Sequence, residues 1–169
     1  MSAHAMRYNA DGLLLLSNLT RTSRQSYLQI FRDGSLEYAD TGVLDSANGI
    51  SVLSQLFEQK IVETFANAVW LLGELEVTEP TFVSLTLLGM KGRTMKLPPS
   101  HFDQGVTTEP FDRDVIVCPD MLIENVAEGP PYRSTLLPIV DAVWQAAGRE
   151  KTPYLDNQFG VWDIRNDRP

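Results

Sequence analysis

The sequence predicts an α+β domain, in which a mainly antiparallel sheet of short strands and hairpins is covered by one long and one shorter helix. Three observations favour this class. Short apolar segments are joined by turn-forming residues, which is typical of antiparallel pairing. Two longer segments carry apolar residues at intervals of three and four, the spacing of one helix face. The strands come in runs and do not alternate regularly with helices, which separates this class from α/β folds.

The first part of the chain is predicted to form strands. Residues 12–19 are mostly apolar and then turn polar, and residues 27–31 have the aromatic and β-branched character of a strand. Asp33 and Gly34 follow, a pair that supplies the two positive-φ positions of a tight turn. Residues 36–43 form the returning strand, so the sequence predicts a hairpin here.

A long helix is predicted from about Ile50 to Leu72. Asn48 or Ser51 can cap its first turn, and Gly73 follows its last apolar residue, where it can close the helix in the left-handed conformation. The spacing of the apolar residues places them in one stripe that faces a core. They are Leu53, Leu56, Phe57, Ile61, Phe65, Val69 and Leu72.

A second hairpin is predicted after this helix. Residues 81–88 alternate, with Val83, Leu85 and Leu87 on one face, which is the pattern of a half-buried strand. Lys91-Gly92 can then turn the chain back into a strand that ends at Leu97. Beyond it, Pro98 to Phe111 has no periodicity, and loops of this length are often functional or mobile.

Two more strands and a second helix complete the predicted domain. The strands are expected at 114–118 and 121–126, and the helix is expected to begin near Ser134 or Thr135. Pro138 fits only within the first turn of that helix, and Gly148 is placed to close it. The apolar stripe of the helix consists of Leu136, Ile139, Val140, Val143, Trp144 and Ala147.

The sequence suggests three segments. Residues 1–6 lack the basic and apolar parts of a signal peptide and resemble a cloning remnant, the alternative being a native start. Residues 7–150 are expected to form the single α+β domain. Residues 151–169 are polar with scattered aromatics, and we expect them to form a tail that packs loosely or frays.

Composition excludes several classes of function. The 169 residues are 43% hydrophobic and 21% charged, and the apolar runs are too short to cross a bilayer, so no membrane partner is expected. A net charge of −8 repels the phosphate backbone, so nucleic acid is disfavoured except at a local basic spot. Cys118 is the only cysteine, which rules out an internal disulfide and favours a reducing, cytoplasmic location.

The first candidate site is the turn formed by Lys91, Gly92 and Arg93, with Lys96 beyond it. Glycine lets backbone N–H groups approach a phosphate and the cations add charge, so the pattern indicates a weak nucleotide or nucleic-acid contact. The segment is not a P-loop, because the glycine-lysine-serine ending before a helix is missing. The alternative is a solvated hairpin whose cations protect an edge strand.

The second candidate is a metal site. His101 and Asp103 alternate in an extended segment, and Asp112 and Asp114 alternate at the mouth of a strand. The four side chains would suit a metal-dependent hydrolase if they converged in space. Neither pair supplies the three or four ligands that zinc requires. The alternatives are an exposed loop histidine and aspartates that cap a turn or pair across the sheet.

The residues offer little for nucleophilic catalysis. No glycine-x-serine-x-glycine elbow is present, and Cys118 lies in an apolar run, where a buried and unreactive thiol is expected. Trp70, Trp144 and Trp162 are expected to be core or interface anchors, not platforms for base stacking. The sequence therefore favours a non-catalytic domain without a cofactor.

Four segments carry a resemblance to a known family: residues 29–34 with Glu37, 85–92, 111–116 and 144–148. Together they resemble the accessory region that lies downstream of the Schlafen/AlbA-like DNA-binding domain in bacterial proteins. None of them is a catalytic signature, so the resemblance implies a context and no reaction. The nucleic-acid function of that family belongs to its upstream domain and is carried onto no residue here.

The first functional hypothesis is therefore a non-catalytic accessory domain that binds a partner. The partner would be the upstream domain of the same parent chain, another chain or a second copy of this one. An alternative is a nucleic-acid or nucleotide contact through Lys91, Arg93 and Lys96. A metal-dependent hydrolase is the less favoured alternative.

Overall fold

The computed structural model describes residues 4–17, 26–42, 51–52, 54–97, 107–126 and 132–154. The chain divides by its contacts into two compact units, Met1–Leu44 and Asp45–Pro169, a division that the prediction of one domain did not include. Short and mainly antiparallel strands occur in both units, and two helices occur in the second. The predicted α+β class is thus confirmed.

The first unit contains a four-stranded antiparallel sheet. Its strands are β1 (His4–Tyr8), β2 (Gly12–Ser17), β3 (Ser26–Phe31) and β4 (Leu36–Asp40), and they lie side by side in chain order. Residues 4–6 belong to the segment predicted to be a cloning remnant, and the structure gives them a place in β1. Whatever their origin, they pair along β2.

The predicted hairpin between β3 and β4 is confirmed, but its turn differs from the prediction. The Phe31 N–H donates to the Ser35 carbonyl at 2.9 Å and the Gly34 N–H to the Phe31 carbonyl at 3.1 Å, which defines a three-residue loop. Only Gly34 has a positive φ, of 88°. Asp33 instead accepts hydrogen bonds from the N–H and hydroxyl of Ser35, at 2.9 and 2.7 Å. The Asp33 side chain thus stabilises the turn by hydrogen bonds, and Asp33 does not adopt the predicted positive φ.

Gly12 allows β2 to approach β3 closely. A Cβ at Gly12, whose φ is 151°, would lie 2.1 Å from the carbonyl oxygen of Ile30. Asn9 reinforces this corner, because its side-chain oxygen accepts from the Gly12 N–H at 2.7 Å and its amide donates to Gln29 at 2.8 Å. The buried Gln29 side chain is therefore satisfied within the sheet.

The second unit begins with a short strand where the sequence predicted a helix. Strand β5 (Ser51–Val52) pairs in parallel with β8 (Thr94–Met95), and helix α1 (Ser54–Glu74) follows. The helix therefore starts later than the predicted Ile50. In so short a segment, apolar residues are compatible with a helix and with a strand. The pairing partner of β5 lies 43 positions away, so local periodicity could not reveal it.

The buried stripe of α1 is largely the predicted one. Its buried apolar side chains are Phe57, Val62, Phe65, Val69 and Leu72. Leu56 was predicted for the core and is exposed, so that prediction is wrong. The predicted Leu53 lies outside the described residues, and Ile61 is half-buried.

The C-terminal end of α1 lies beyond the predicted closing residue. Gly73 is helical, and the residue with a positive φ, of 54°, is Glu76. The Val77 N–H donates to the Leu72 carbonyl and the Glu76 N–H to the Gly73 carbonyl, both at 3.0 Å. This pair of bonds is the Schellman motif, here with a glutamate at the position that usually carries glycine.

The strands after α1 pair differently from the predicted second hairpin. They are β6 (Thr81–Val83), β7 (Thr86–Leu88), β9 (Val115–Val117) and β10 (Met121–Ile123). Antiparallel pairs form between β6 and β10 and between β7 and β9. The prediction that residues 81–88 pair with the strand directly after Lys91-Gly92 is therefore wrong.

Helix α2 (Tyr132–Ala146) confirms its predicted core face. All six residues of the predicted stripe are buried, and Gly148 closes the helix with a φ of 78°. Pro138 was expected within the first turn but lies inside the helix. It lacks the N–H that would donate to the Ser134 carbonyl, and the packed stripe around it holds the helix in spite of this loss.

A buried carboxylate links the two helices to the start of the predicted tail. Trp144 Nε1 donates to Glu58 Oε1 at 2.7 Å, and the Thr152 hydroxyl donates to the same oxygen. The Thr152 N–H donates to Asp141 at 2.9 Å, and its hydroxyl oxygen accepts from the Tyr154 N–H at 3.1 Å. Thr152 and Tyr154 are buried, so this part of the tail is packed into the core, contrary to the expectation of loose packing.

Within the described part of the chain, neither α1 nor α2 combines the length and the apolar character that a bilayer crossing requires.

Candidate interaction surface

Strands β6, β7, β9 and β10 of the second unit form an antiparallel ribbon with two distinct faces. One strand of the ribbon runs through residues 81–88 and the other through residues 115–123. Phe82 lies opposite Leu122, and Leu88 lies opposite Val115. Residues that are directly opposite in an antiparallel pair project to the same side of the sheet.

One side of this ribbon is apolar and open. We call it the outer ribbon face, and it is formed by Phe82, Leu88, Val115, Val117 and Leu122, which are 74, 69, 45, 72 and 50% exposed. The polar residues Ser84 and Thr86 lie between them on the same side by alternation. On the other side of the ribbon, Ile116 and Ile123 are buried in the core, and Val83, Leu85 and Leu87 are half-buried.

A β-bulge joins the two halves of the ribbon. Between Val117 and Met121, three residues oppose the two residues that separate Val83 from Thr86. The Cys118 N–H still donates to the Leu85 carbonyl at 3.0 Å. Because of the extra residue, Leu122 lies opposite Phe82, so the outer ribbon face continues past the interruption.

The two segments that contain the outer ribbon face are acidic. The segments 74–90 and 114–126, which contain the ribbon and its flanks, carry six acidic residues and no Lys or Arg. All six are exposed. They are Glu74, Glu76, Glu79, Asp114, Asp120 and Glu124.

The predicted basic turn lies at one end of this ribbon. Residues 90–93 form a turn closed by the Arg93 N–H, which donates to the Met90 carbonyl at 2.9 Å, and Lys91 is exposed at its tip. Arg93 Nε donates to the Gly89 carbonyl at 2.7 Å. Lys96 is half-buried in a bridge with Thr107. The turn exists, and a phosphate contact through Lys91, Gly92, Arg93 and Lys96 stays a prediction.

The turn is tied to the segment that contains two of the predicted metal ligands. The Met90 N–H donates to the Asp114 carbonyl at 3.0 Å, and the Gly92 N–H donates to the Phe111 carbonyl at 2.9 Å. Phe111 itself is buried. These backbone hydrogen bonds attach the Lys91 turn to the residues just before β9.

Two of the four predicted metal ligands, Asp112 and Asp114, lie among the described residues. Asp112 and Asp114 are exposed, and Asp112 lies 3.9 Å from Arg113 Nε. His101 and Asp103 lie outside the described residues. Among the described residues, no group of three or more His, Cys, Asp or Glu side chains is arranged to hold a metal ion.

Cys118 has the predicted environment of an unreactive thiol. It is buried next to the bulge, on the core side of the ribbon. Burial raises the pKa of its thiol to about 11, from an ordinary value of 9.0. Little thiolate is therefore present near neutral pH, so nucleophilic catalysis by Cys118 is not supported.

The tryptophans differ in their positions. Trp144 is fully buried in the core, as predicted, whereas Trp70 projects from α1 and is 57% exposed. Trp162 lies outside the described residues. The only Lys or Arg residue of α1 is Lys60.

The outer ribbon face was not among the predicted sites, although the sequence carries a signal for it. Residues 115–118 are apolar at every position, and Phe82 and Leu88 fall on the side of their strand that carries Ser84 and Thr86. A strand that is apolar on both sides has either two buried faces or one face left for a partner. Here one side of the strand packs against the core and the other is exposed, so the exposed side is the one left for a partner.

Comparison of the chain with protein-family models, with curated proteins and with solved structures finds no match. The resemblance to the region downstream of a Schlafen/AlbA-like domain therefore stays a prediction.

Proposed function

We propose that this chain is a non-catalytic interaction domain that binds a protein partner through the outer ribbon face. The observation that carries the proposal is the exposure of five large apolar side chains on one side of a ribbon whose other side is core. Single exposed apolar residues are common on protein surfaces, whereas a contiguous set on one sheet face is typical of a binding site.

The chemistry of the described residues supports binding more than catalysis. The buried carboxylate of Glu58 is enclosed by Trp144 and Thr152, where no substrate would reach it. The thiol of Cys118 is also buried. The exposed Asp112 lies beside Arg113, and neither Asp112 nor Asp114 belongs to a larger ligand cluster among the described residues.

The resemblance adds a context to this proposal. An accessory domain downstream of a Schlafen/AlbA-like domain would use such a face to hold the upstream domain or another chain. Contact with nucleic acid is less favoured, because Arg93 is hydrogen-bonded to the backbone, Lys96 is half-buried and the ribbon beside them is acidic.

A peptide-display selection tests the proposal. The full chain is used to select peptides from a random library, and each selected peptide is then measured against the variant Phe82→Ser/Val117→Ser. Both substitutions replace exposed side chains, so the fold is expected to persist. We expect selected peptides to lose at least about tenfold in affinity for this variant, since a few residues at the centre of an interface carry most of its binding energy.

A matched control uses an exposed apolar residue outside the ribbon. Leu56→Ser removes a similarly exposed side chain from α1 and is expected to leave peptide affinity unchanged. Circular dichroism of all variants verifies that they are folded. The proposal is wrong if no peptide is selected, or if every selected peptide binds the ribbon variant as tightly as the unsubstituted chain.

A further inference from the structure

We infer that the partner of the outer ribbon face is a cationic protein segment, one that combines apolar side chains with flanking Lys or Arg residues. The inference rests on the proposed function and adds the chemical class of the partner. It is carried by the juxtaposition of the apolar face with an acidic border on the same ribbon.

The border is acidic on both strands of the ribbon. Glu79 precedes β6, Asp120 lies in the bulge, and Glu124 follows β10, two residues after Leu122 on the same side by alternation. All three are exposed. Asp114 directly precedes Val115 at the other end. A partner that covers the apolar side chains therefore meets carboxylates at the end formed by β6 and β10, whereas at the other end Asp114 lies next to Arg113 and the Lys91 turn.

Charge complementarity at such a border determines which partners are accepted. Exposed carboxylates around an apolar contact accelerate the approach of a cationic partner and repel an anionic one. Between the lysines at positions 60 and 91 the chain has no Lys or Arg, so no cation of this segment offsets the acids on the β6 flank. The selectivity should therefore be strong at low salt and weaken as salt is added.

A second copy of this chain is a poor occupant for the same reason. A two-fold symmetric contact uses the same patch of each copy, so an arrangement that brings the β6 and β10 ends together would oppose Glu79, Asp120 and Glu124 of one copy to those of the other. Like charges opposed across an interface disfavour the contact. An apolar face alone would have favoured self-association, and the acidic border is what opposes it.

Anionic surfaces are poor occupants as well. The cytoplasmic leaflet of a membrane and the backbone of nucleic acids both carry negative charge, and both would be repelled by the border. A protein segment with basic residues is the class that satisfies the apolar side chains and the carboxylates together. Its positive residues would lie beside Glu79, Asp120 and Glu124.

The test compares two variants with the same net charge. The border variant carries Glu79→Gln, Asp120→Asn and Glu124→Gln, and the control variant carries Asp11→Asn, Glu63→Gln and Glu150→Gln. All six positions are exposed, and each variant loses three carboxylates. A difference between the two variants therefore reports the position of the charges and not the total charge.

The probes are the display-selected peptides whose binding is lost in Phe82→Ser/Val117→Ser. We expect these peptides to be net positive and to bind the border variant about tenfold more weakly, with the control variant unchanged. Their affinity should fall by a similar factor as salt rises from about 50 to about 300 mM. Fluorescence anisotropy with labelled peptides gives all of these constants.

The outcomes separate the inference from the proposed function. Peptides that depend on the outer ribbon face but are neutral or acidic, or that bind the border and control variants equally, would overturn the inference and leave the proposed function intact. An absence of face-dependent peptides would overturn both.

Two further measurements cover the other occupants. Light scattering of the full chain that shows a dimer dispersed by Phe82→Ser/Val117→Ser would identify a second copy as the occupant. Binding to phosphatidylserine vesicles that is lost in the same variant would identify a lipid surface. Either result would contradict the inference, and we expect neither.

Discussion

At the scale of single residues, Glu76 holds the end of α1 in a conformation that suits glycine better. Its φ of 54° is left-handed, where the Cβ of an L-residue is crowded by about 1–2 kcal/mol. Glu76→Gly removes this strain but gives the unfolded chain more freedom. We expect the free energy of unfolding to rise by about 0.5–1 kcal/mol, measured by urea denaturation.

Glu76→Ala serves as the control, since it removes the exposed carboxylate and keeps the Cβ. It is expected to give no such gain. If the two variants are equally stable, the backbone of Glu76 carries no strain and the charge alone accounts for any change.

Cys118 makes the stability of the fold depend on alkaline pH. Its pKa is about 11 in the folded chain and near the ordinary 9.0 when exposed, so the folded state holds the proton more tightly. The stabilising contribution is fully present below about pH 9 and is lost as the pH rises towards about 11. We expect the free energy of unfolding to fall over this range, measured by urea denaturation at successive pH values.

The same series on Cys118→Val isolates this group. The pKa of Tyr27 is also raised, chiefly by its hydrogen bond to Glu37, and it acts in the same direction in both proteins. The variant should therefore show a shallower decline than the unsubstituted chain. Parallel curves would mean that the thiol does not contribute.

At the scale of elements, neighbouring residues of β9 should differ sharply in their effect on stability. Ile116 is buried and Val117 belongs to the outer ribbon face. Ile116→Ala leaves a cavity and is expected to lower the free energy of unfolding by about 2–4 kcal/mol, whereas Val117→Ala should lower it by less than about 1 kcal/mol. Urea denaturation of both variants measures the contrast, and similar losses would show that the outer ribbon face is covered in the folded chain.

Local patterns predicted the elements better than their partners. The Asp33-Gly34 hairpin, the face of α2 and its closure by Gly148 follow from residues adjacent in sequence, and all three are present. Lys91-Gly92 also forms a turn, but β7 pairs with β9. A turn signal fixes the chain reversal, whereas the choice among several apolar strands is decided by packing over the whole unit.

At the scale of the whole molecule, Thr152 connects distant parts of the second unit. Its hydroxyl donates to Glu58, which lies 94 positions earlier, and accepts from the Tyr154 N–H. Thr152→Val keeps the shape of the side chain and removes both hydrogen bonds of the hydroxyl, one of which is to the buried Glu58 carboxylate. We expect the free energy of unfolding to fall by about 1–3 kcal/mol, followed by tryptophan fluorescence in urea.

Thr152→Ser is the matched control, because it keeps the hydroxyl and removes only a methyl group. It should retain most of the stability that Thr152→Val loses. Equal losses in the two variants would assign the effect to the methyl group and not to the hydrogen bonds.

The candidate site was less predictable than the fold. The α+β class and most elements followed from periodicity and turn residues, while no residue of the outer ribbon face was among the predicted site residues. Whether Phe82 or Val83 faces solvent depends on which side of the ribbon packs against the core. That side is set by contacts far apart in sequence, and the predicted sites were chosen for charge and ligand chemistry.

The bulge in the ribbon has an evolutionary consequence. Three residues after Val117 oppose two on the other strand, so the loss of Asp120 would leave a regular ladder with Leu122 still opposite Phe82. In a regular ladder, a one-residue deletion would exchange the buried and exposed sides of a strand. We expect homologues to vary in length by one residue at this position while presenting the same side chains outward.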